Sequence, residues 1–426
     1  MSVGTKLLQA AAGNAGGPID AYYIDGTAIY GTALVIDGSD NIYLGHGFGS
    51  DTAVTKIDDT PSVVWSKSLT GGTVAASVTK YDNYGGKFLY YGDDGKIHIA
   101  GRATQDGTGV GYYVRMTTAG AVDLSTANRR VSNDYALVVG QSNSSYIHSF
   151  GSSYYPGEVK AGQIMGVRID PSNGNKLSSR AFGQNGYQSD VANSLDMDSS
   201  GNPIVGFTVG VGVMQVTGSN GNLSWYRFVA NNTTNYWGQT KGVRVDSNDN
   251  VIVVGWALDS GTAQCIIAKY NSSGTRQWVK KLVHGSKTSK LFSVNVDSSD
   301  NIYAFGIVDP TNGGDNAPFI CKFSSAGALT YQHHFDAPDS GLYGLGATGD
   351  LVVNSSGNPI IAVEGSSTRT YLFFVNEELT DNSSDLTLST ITTSDGGSIS
   401  SATYTSTYWN GIGTSVNTES PTLTKD

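Results

Sequence analysis

One pattern of apolar and polar positions recurs seven times along the chain. Each copy places a short stretch of Asp, Asn, Ser and Gly between two runs of β-branched or aromatic residues, as in Val-Asp-Ser-Asn-Asp-Asn-Val-Ile at residues 245–252. The middle residues tolerate left-handed backbone angles and cap their own turns, whereas the flanking runs favour strands. Each copy therefore predicts a β-hairpin. The second strands of these hairpins follow the anchor residues Asn41, Lys96, Tyr146, Asn202, Asn250, Asn301 and Asn358.

A second hairpin is predicted after each of the first six anchors. An apolar strand with one basic or amide residue is followed, nine or ten residues later, by a large apolar residue, with turn residues between them. The pairs are Lys56 and Trp65, Arg115 and Leu124, Arg168 and Leu177, Gln215 and Trp225, Lys269 and Trp278, and Lys322 and Tyr331. Repeat seven departs from the pattern, because Phe374 stands where a basic residue is expected and no aromatic residue follows.

Two hairpins make a four-stranded unit, and successive anchors are 48 to 57 residues apart. This length fits one blade of a β-propeller and is far too long for one coil of a β-helix. We therefore predict an all-β fold, a seven-bladed β-propeller of four-stranded antiparallel blades with a short N-terminal arm and a β-rich C-terminal extension. The predicted boundaries are 1–18 for the arm, 19–380 for the propeller and 381–426 for the Ser/Thr-rich extension. We expect a strand from one terminus to close the ring by completing the blade built by the other terminus. The C-terminal extension is one candidate for this closing strand.

Composition agrees with this fold and narrows the function. The chain of 426 residues has 55 Gly, 24 Tyr and a net charge of −10. We expect no nucleic-acid partner, because phosphate binding requires a basic face. No apolar run approaches the roughly 18 residues of a membrane span, so we expect no membrane insertion, and the start of the chain lacks the apolar run of a secretory signal. Cys265 and Cys321 are expected just before or within the third strands of neighbouring blades, as buried, reduced thiols.

The candidate chemical sites have structural explanations, and we expect no catalytic residue, cofactor or metal. His98 and His148 occupy equivalent strand positions and could converge on a metal, but the other blades supply no third ligand at that level. The Asp-rich turns offer alternate oxygens, as calcium sites do, yet they lack a following bidentate Glu, and Asx turns explain them without an ion. The sequence therefore favours a protein that is not an enzyme.

Two resemblances add to this interpretation. The phrase Val-Asp-Ser-x-Asp-Asn-Ile-Tyr, complete at residues 296–303, resembles the blades of NHL-type and SBBP-type β-propellers over roughly residues 30 to 380. Such propellers serve as binding scaffolds, enzymes and structural parts. The opening Met-Ser-Val-Gly-Thr-Lys-Leu-Leu-Gln-Ala-Ala-Ala-Gly-Asn-Ala-Gly resembles the N-termini of virion structural proteins of marine tailed phages, especially T4-like cyanophages.

These observations predict a non-enzymatic structural or adhesion component of a tailed-phage virion, as part of a tail, a fibre or the capsid surface. We expect several copies per particle, with other virion proteins and a host-surface glycan or protein as partners. Lys6, Leu7 and Leu8 are the expected attachment residues, as bulky or charged side chains in an Ala/Gly-rich arm. The alternatives are an extracellular protein, namely a secreted or cell-surface bacterial binding propeller, and a propeller enzyme that uses the central channel.

Overall fold

The structure is a computed structural model that describes most of the propeller and parts of the C-terminal extension. The described residues are 19–25, 32–48, 51–71, 74–77, 88–105, 108–128, 134–142, 145–153, 163–183, 191–208, 210–229, 238–259, 261–283, 287–308, 317–334, 349–364, 369–375, 387–390, 400–403, 409–410, 414–419 and 423–425. Within these ranges every regular element is a β-strand, and the strands form seven antiparallel sheets arranged as blades of a ring. The predicted fold class is thereby confirmed.

Each blade has four strands in order from the central axis to the rim. Blade 1 consists of Ala33–Ile36, Ile42–Phe48, Asp51–Ile57 and Val63–Gly71. Blade 2 consists of Val74–Ser77 together with Leu89–Tyr91, then Lys96–Gln105, Thr108–Thr117 and Val122–Asn128. Blade 3 consists of Asp134–Ser142, Tyr146–Ser153, Gln163–Ile169 and Lys176–Gly183. Blade 4 consists of Ala192–Met197, Pro203–Phe207, Gly212–Val216 and Leu223–Phe228. Blade 5 consists of Gly238–Val245, Val251–Asp259, Thr262–Tyr270 and Arg276–Val283. Blade 6 consists of Ser289–Val296, Ile302–Val308, Ala317–Phe323 and Leu329–His334. In blade 2, two short strands share the innermost position.

Blade 7 is assembled from both ends of the chain. Its first three strands are Gly349–Val353, Pro359–Glu364 and Arg369–Val375, and its fourth is the N-terminal strand Ile19–Asp25. The closing strand pairs antiparallel with the third strand, with Ile19 opposite Val375. This arrangement explains why repeat seven lacks an aromatic residue after its third strand, since its fourth strand comes from the other end of the sequence.

In its described parts, the C-terminal extension adds a fifth, outermost strand to five of the blades. Along the chain, its strands pair with blades 5, 3, 2, 1 and 7 in that order. They are Thr387–Thr390, Ser400–Thr403, Trp409–Asn410, Thr414–Glu419 and Leu423–Lys425. The last of them pairs with the closing strand Ile19–Asp25, so both ends of the chain meet on blade 7.

Neighbouring blades pack through the large residues of their fourth strands. Trp225 of blade 4 is buried, and its indole N–H donates to the Ser272 carbonyl of blade 5 at 3.1 Å. Gly274 of the same turn has φ +75°, and a Cβ there would come within 2.7 Å of the Trp225 ring. Trp278 and Gly327 repeat the contact between blades 5 and 6, where a Cβ would come within 2.8 Å. The turn glycines therefore supply both the left-handed backbone and the space for the indole.

The innermost strands are joined by side chains that bond to the backbone of the next blade. Asp350 of blade 7 is buried, and its carboxylate accepts hydrogen bonds from Ser293 Oγ of blade 6 at 2.5 Å and from the Leu34 N–H of blade 1 at 2.8 Å. Between blades 4 and 5, Asp196 accepts from the Val245 N–H at 2.9 Å. Asp350 therefore connects the first and last blades to each other and to blade 6.

Candidate functional site

The two faces of the ring differ in the connections they carry. The turns between first and second strands leave one edge of each blade, and in blades 1 to 6 the turns between third and fourth strands leave the same edge, as at residues 246–250 and 271–275 of blade 5. We call this edge the turn face. The connections between second and third strands and between blades leave the opposite edge, which we call the loop face. Short turns with defined hydrogen bonds form the turn face, whereas the strands that end at the loop face are separated in the sequence by longer stretches, much of which lies outside the described residues.

Aspartates of the turn face organise their own turns. Asp37 Oδ1 accepts hydrogen bonds from the Ser39 and Asn41 amides at 2.9 and 3.0 Å, and its Oδ2 accepts from the Tyr43 hydroxyl at 2.9 Å. Burial raises the pKa of the Asp37 carboxyl, but the hydrogen bonds from Ser39, Asn41 and Tyr43 outweigh it, and the pKa lies below its usual value. Asp246 has the corresponding bonds from Asn248 and Asn250. The predicted Asx-turn chemistry accounts for these carboxylate oxygens without an ion.

Three pairs of neighbouring turns are joined by a serine and an aspartate, which we call Ser–Asp turn pairs. Ser199 of blade 4 donates through its amide and its hydroxyl to Asp249 of blade 5, at 2.8 and 2.6 Å. Ser247 bonds Asp300 in the same way between blades 5 and 6, and Ser355 bonds Asp40 between blades 7 and 1. All three aspartates have positive φ, near +60°. Here the left-handed turn position, usually suited to Gly, carries an inter-blade contact.

His98 belongs to a buried network inside blade 2. Its Nε2 lies 3.0 Å from Asp94 Oδ1, and its Nδ1 lies 2.9 Å from the Tyr113 hydroxyl. Because a carboxylate only accepts, Nε2 carries a proton and donates it to Asp94. Burial raises the pKa of the Asp94 carboxyl, but His98 and Arg115 outweigh it and hold the pKa below its usual value. This network links the second strand, which carries His98, to Tyr113 on the third strand and to Asp94 in the turn before the second strand.

His148 occupies the equivalent position in blade 3 with different surroundings. The ring is buried and stacks on Phe150 with 6.5 Å between centroids. Burial, together with the charge of Arg168, lowers the pKa of His148 to about 3. The imidazole is therefore neutral at physiological pH. Among the described residues, no group of three or more His, Cys, Asp or Glu is placed to hold a metal ion.

The predicted basic and cysteine positions are also structural. Lys269 lies opposite Ile252 in the strand ladder, and its Nζ is 2.8 Å from Asp246 Oδ2 at the turn face. Cys265 and Cys321 lie on the third strands of blades 5 and 6, where both are buried. Burial raises the pKa of the Cys265 thiol to about 12, so this group is not a nucleophile at neutral pH.

The predicted attachment residues Lys6, Leu7 and Leu8 lie outside the described residues. They precede the closing strand of blade 7, which begins at Ile19. No helix long and apolar enough to cross a membrane is present in the part of the chain that the structure describes.

The sequence patterns did not reveal a lysine at an irregular position of blade 5. Thr240 pairs with Gly255 and Gly242 pairs with Val254, so Lys241 is the extra residue of a β-bulge in the innermost strand. Gly255 permits this backbone path, since a Cβ there would stand 2.0 Å from the Gln239 carbonyl oxygen. Lys241 is 7% exposed. The equivalent bulge positions are Asn193 in blade 4 and Phe292 in blade 6.

Lys290 of blade 6 is close enough to Lys241 of blade 5 for its charge to act on it. Lys290 is the second residue of the innermost strand of blade 6, and its Nζ lies 4.7 Å from the centre of the Trp256 ring of blade 5. The Lys287 carbonyl accepts from Gln264 Nε2 of blade 5 at 3.1 Å, which fixes the connection between these blades against the third strand. Burial and the charge of Lys290 lower the pKa of Lys241 to about 7.

The sequence itself shows a concentration of basic residues in this region. Residues 260–296 contain no Asp or Glu, although the whole chain carries a net charge of −10. The same stretch has six basic residues, Lys269, Arg276, Lys280, Lys281, Lys287 and Lys290. A local scan of charge, rather than the net value, would have identified blade 5 and the start of blade 6 as the basic part of the ring.

Solved structures of β-propellers are similar to this fold. The WD40 repeats of RRP9 give a TM-score of 0.54 at 10% identity, covering 83% of this chain and 97% of that one. The β-propeller domain of Cps50 (Swd1) from Myceliophteria thermophila gives 0.50 at 11% identity, covering 83% and 99%. Catalytically inactive virginiamycin B lyase from Staphylococcus aureus gives 0.50 at 9% identity, covering 84% and 99%. These similarities concern the fold alone, since a lyase and WD40 repeats share it.

No family model matches the sequence, and no curated protein matches it.

Proposed function

We propose that this protein is a non-enzymatic structural and binding component of a tailed-phage virion. The loop face contacts a partner, and a terminal segment attaches the ring to the particle. The observation that carries the binding role is the difference between the two faces. The turn face is occupied by its own hydrogen bonds, including the Ser–Asp turn pairs, whereas the loop face carries the longer connections.

The composition of the loop-face connections suits recognition. The longest of them, which lie outside the described residues, are 154–162, 184–190, 230–237, 309–316 and 335–348. Their sequences contain Tyr154, Tyr155, Tyr187, Tyr236, Trp237 and Tyr343 among Asn, Ser and Gly. Aromatic residues of this kind provide rigid amphipathic contact area, and small polar residues provide adaptable hydrogen bonds. A rigid ring that carries such connections favours binding to a protein or a glycan.

The titratable groups singled out in the sequence support a role without catalysis. Asp94 and His98 bond each other inside blade 2, and Asp246 bonds Lys269 inside blade 5. Each of these groups stabilises a turn or a strand pair.

The virion assignment rests on the N-terminal resemblance, and the arm that carries Lys6, Leu7 and Leu8 directly precedes the strand that closes the ring.

The test is the location of the protein. Particles of a tailed phage whose genome encodes this chain should contain it, as detected by mass spectrometry of purified virions and by immunogold labelling. Recombinant protein added before infection should reduce adsorption of these particles to the host. Its absence from purified particles, together with its secretion by a bacterial host, would favour the bacterial binding propeller instead.

A further inference from the structure

We propose that Arg168, at the junction of blades 3 and 4 on the turn face, binds a carboxylate of a partner protein. The carboxylate belongs to an aspartate or glutamate whose apolar neighbour packs on Leu177. Arg168 stands near the end of the third strand of blade 3, and its Nη1 donates to the Ser219 carbonyl in a turn of blade 4. This contact is separate from the loop-face contact proposed above and adds a second binding site to the ring. We call Arg168, Tyr146 and Leu177 the Arg168 site.

Blade 2 has an equivalent arginine that is neutralised within the ring. Arg115 and Arg168 face the histidines of their blades in the strand ladder, and each donates through Nη1 to a turn carbonyl of the next blade. In blade 2, Arg115 Nε also donates to Asp123 Oδ1 at 3.0 Å, and Asp94 Oδ2 lies 3.6 Å from Nη1. Two carboxylates of its own blade therefore hold Arg115.

Blade 3 has neither carboxylate at the corresponding positions. Asp123 is the extra residue of a β-bulge in the fourth strand of blade 2. In blade 3 the extra residue is Leu177, since Arg168 faces Ser178 in the ladder. The sequence pattern paired Arg168 with Leu177, which was wrong by one position because this turn is one residue longer than the turn of blade 5. Residues 143–145, between the first and second strands, contain no Asp or Glu either.

The Arg168 guanidinium therefore keeps an unused donor. Its Nε is buried and has no hydrogen-bond partner within the described part of the chain. Burial and the charge of Arg180 outweigh Tyr146 and lower the pKa of Arg168. Burial also lowers the pKa of Arg115, but its partners, Asp123 first among them, outweigh burial and raise it. Because a buried donor without an acceptor costs stability, a carboxylate placed as Asp123 is placed in blade 2 would stabilise the Arg168 site.

The position of the missing carboxylate is accessible and has an apolar border. Asp123 bonds Arg115 while its side chain stays 24% exposed, so this position is reached from solvent. Leu177, at the same place in blade 3, is 45% exposed. The Arg168 guanidinium lies over the Tyr146 ring, 4.4 Å from its centre, and this stacking orients its plane. An oriented guanidinium beside an exposed leucine suits an acidic side chain with an apolar neighbour better than a free inorganic anion.

Carboxylates of the chain itself are the alternative occupants. Asp170 is the one acidic residue in the described ranges 145–153 and 163–183. Its carboxylate accepts hydrogen bonds from Ser172 and Asn173 in its own turn. Asp395 stands in the sequence between the extension strands that pair with blades 5 and 3, and it lies outside the described residues. Asp395 is therefore the internal competitor that the experiment has to include.

The experiment selects binders of the full-length protein from a displayed library of short random peptides. Peptides that bind a Leu177→Asp variant are removed first, because this substitution reproduces the arrangement of blade 2 and occupies Arg168 internally. Peptides that wild type then retains are synthesised, and their affinities are measured by fluorescence anisotropy. The test variant is Arg168→Gln. The matched control is Val64→Asp, because Val64 is the extra residue of the same bulge in blade 1 and is 53% exposed, but Lys56 replaces the arginine there.

We expect the retained peptides to share an Asp or Glu beside an apolar residue. Arg168→Gln should bind them at least about tenfold more weakly, which corresponds to ~1.4 kcal/mol, whereas Val64→Asp stays within about twofold of wild type. Replacing the acidic residue of the peptide by its amide should weaken binding to wild type by a similar factor. The same peptide change should have little further effect on binding to Arg168→Gln, because the two groups act as a pair.

A second measurement does not depend on a peptide. Leu177→Asp should melt at a higher temperature than Leu177→Asn, because only the carboxylate supplies a charged acceptor for Arg168. Position 177 is exposed, so both variants should fold. Should Arg168→Gln fail to fold, this pair of variants and the change in the peptide replace it.

Several results would overturn the inference. They are the recovery of no peptide, retained peptides without an acidic residue, an equal loss in the Val64→Asp control, and equal melting temperatures of Leu177→Asp and Leu177→Asn. An Asp395→Asn variant that melts at a lower temperature and binds the peptides more tightly would assign the Arg168 site to the chain's own extension instead. The presence of the protein in virions is measured separately by immunogold labelling, so a failure here would leave the proposed function intact.

Discussion

Replacing Asp300 with Ala is expected to destabilise the ring more than replacing it with Gly. Asp300 adopts φ +60° and accepts three hydrogen bonds from blade 5. The donors are the Ser247 amide at 3.0 Å, the Ser247 hydroxyl at 2.7 Å and the Asn248 side-chain amide at 3.1 Å. Both substitutions remove these bonds, but only Gly relieves the left-handed backbone.

The expected changes in the free energy of unfolding follow from the lost hydrogen bonds and from the relief of the left-handed backbone. Each hydrogen bond to a partly exposed carboxylate contributes about 0.5–1 kcal/mol after solvent screening, so the loss is about 2 kcal/mol for the three. Gly is favoured over Ala at positive φ by about 1 kcal/mol net. Asp300→Ala should therefore lower the free energy of unfolding by about 2 kcal/mol, and Asp300→Gly by about 1 kcal/mol.

The reciprocal change tests the same reasoning at another junction. Blade 6 carries Ser298 where blade 5 has Ser247, but blade 7 has Gly357 where blade 6 has Asp300. The Tyr303 hydroxyl of blade 6 donates to the Gly357 carbonyl at 3.1 Å, so these turns are neighbours. A Cβ at Gly357 would meet nothing within 4 Å. Gly357→Asp should therefore create a fourth Ser–Asp turn pair and change stability by no more than about 1 kcal/mol in either direction.

Urea denaturation followed by circular dichroism measures these differences, provided that the slope of the transition stays constant among the variants. Gly357→Ala is the control, because it adds the backbone strain without the carboxylate. Two outcomes would refute the reasoning. One is an Asp300→Ala variant as stable as Asp300→Gly, and the other is a Gly357→Asp variant no more stable than Gly357→Ala.

Four further predictions follow from other features. Trp278→Ala should cost about 3–5 kcal/mol in urea denaturation, because the indole fills the space between two blades; an unchanged midpoint would contradict this packing. Asp350→Ala should cost a similar amount, about 3–5 kcal/mol, because it leaves buried donors of blades 6 and 1 without their acceptor; a loss below about 1 kcal/mol would contradict it. Burial lowers the pKa of His148 to about 3, below the usual value of about 6.5 for a free histidine, so the stability that the neutral ring contributes is present above pH 6.5 and is lost as the pH falls toward 3. His148→Phe should therefore lose less stability than wild type between pH 6.5 and 4, and parallel losses would exclude this role. Deleting residues 1–18 should leave the melting temperature nearly unchanged and abolish co-sedimentation with virions, whereas a longer deletion that includes Ile19–Asp25 should unfold the ring; loss of folding without loss of attachment in the shorter deletion would move the attachment site to residues 381–426.

Local chemistry explains why the blades could be predicted from the sequence. The turn after a first strand is specified by residues close together in the sequence, such as Asp246 and Asn250, which are hydrogen-bonded to each other although only four positions apart. The register between third and fourth strands was also predictable, because pairs such as Lys269 and Trp278 recur at a nearly fixed spacing and these two residues face each other in the ladder. These features depend on short separations along the chain.

The remaining features depend on contacts between distant parts of the chain. Nothing near Ile19 indicates that it pairs with Val375, since either terminus could have supplied the fourth strand of blade 7. The bulge at Lys241 adds one residue to a strand without changing the kind of residues in it. The one sequence feature related to the bulge is Gly255 in the facing strand, where a Cβ would clash with the bulged backbone. Lys241 and Lys290 come from two different blades, and the acidic net charge of the whole chain gave no sign of their proximity.

The pairing of Ile19–Asp25 with Arg369–Val375 also determines the order in which the molecule can be completed during translation. The closing strand leaves the ribosome first, but its partner strand is synthesised more than 300 residues later. The nascent chain must therefore keep this strand available while six blades form beside it, with the edge of the unfinished ring exposed to mispairing. The strand Leu423–Lys425 is synthesised later still and pairs with the same N-terminal strand, so the outer edge of blade 7 is covered only after the four strands of that blade are in place.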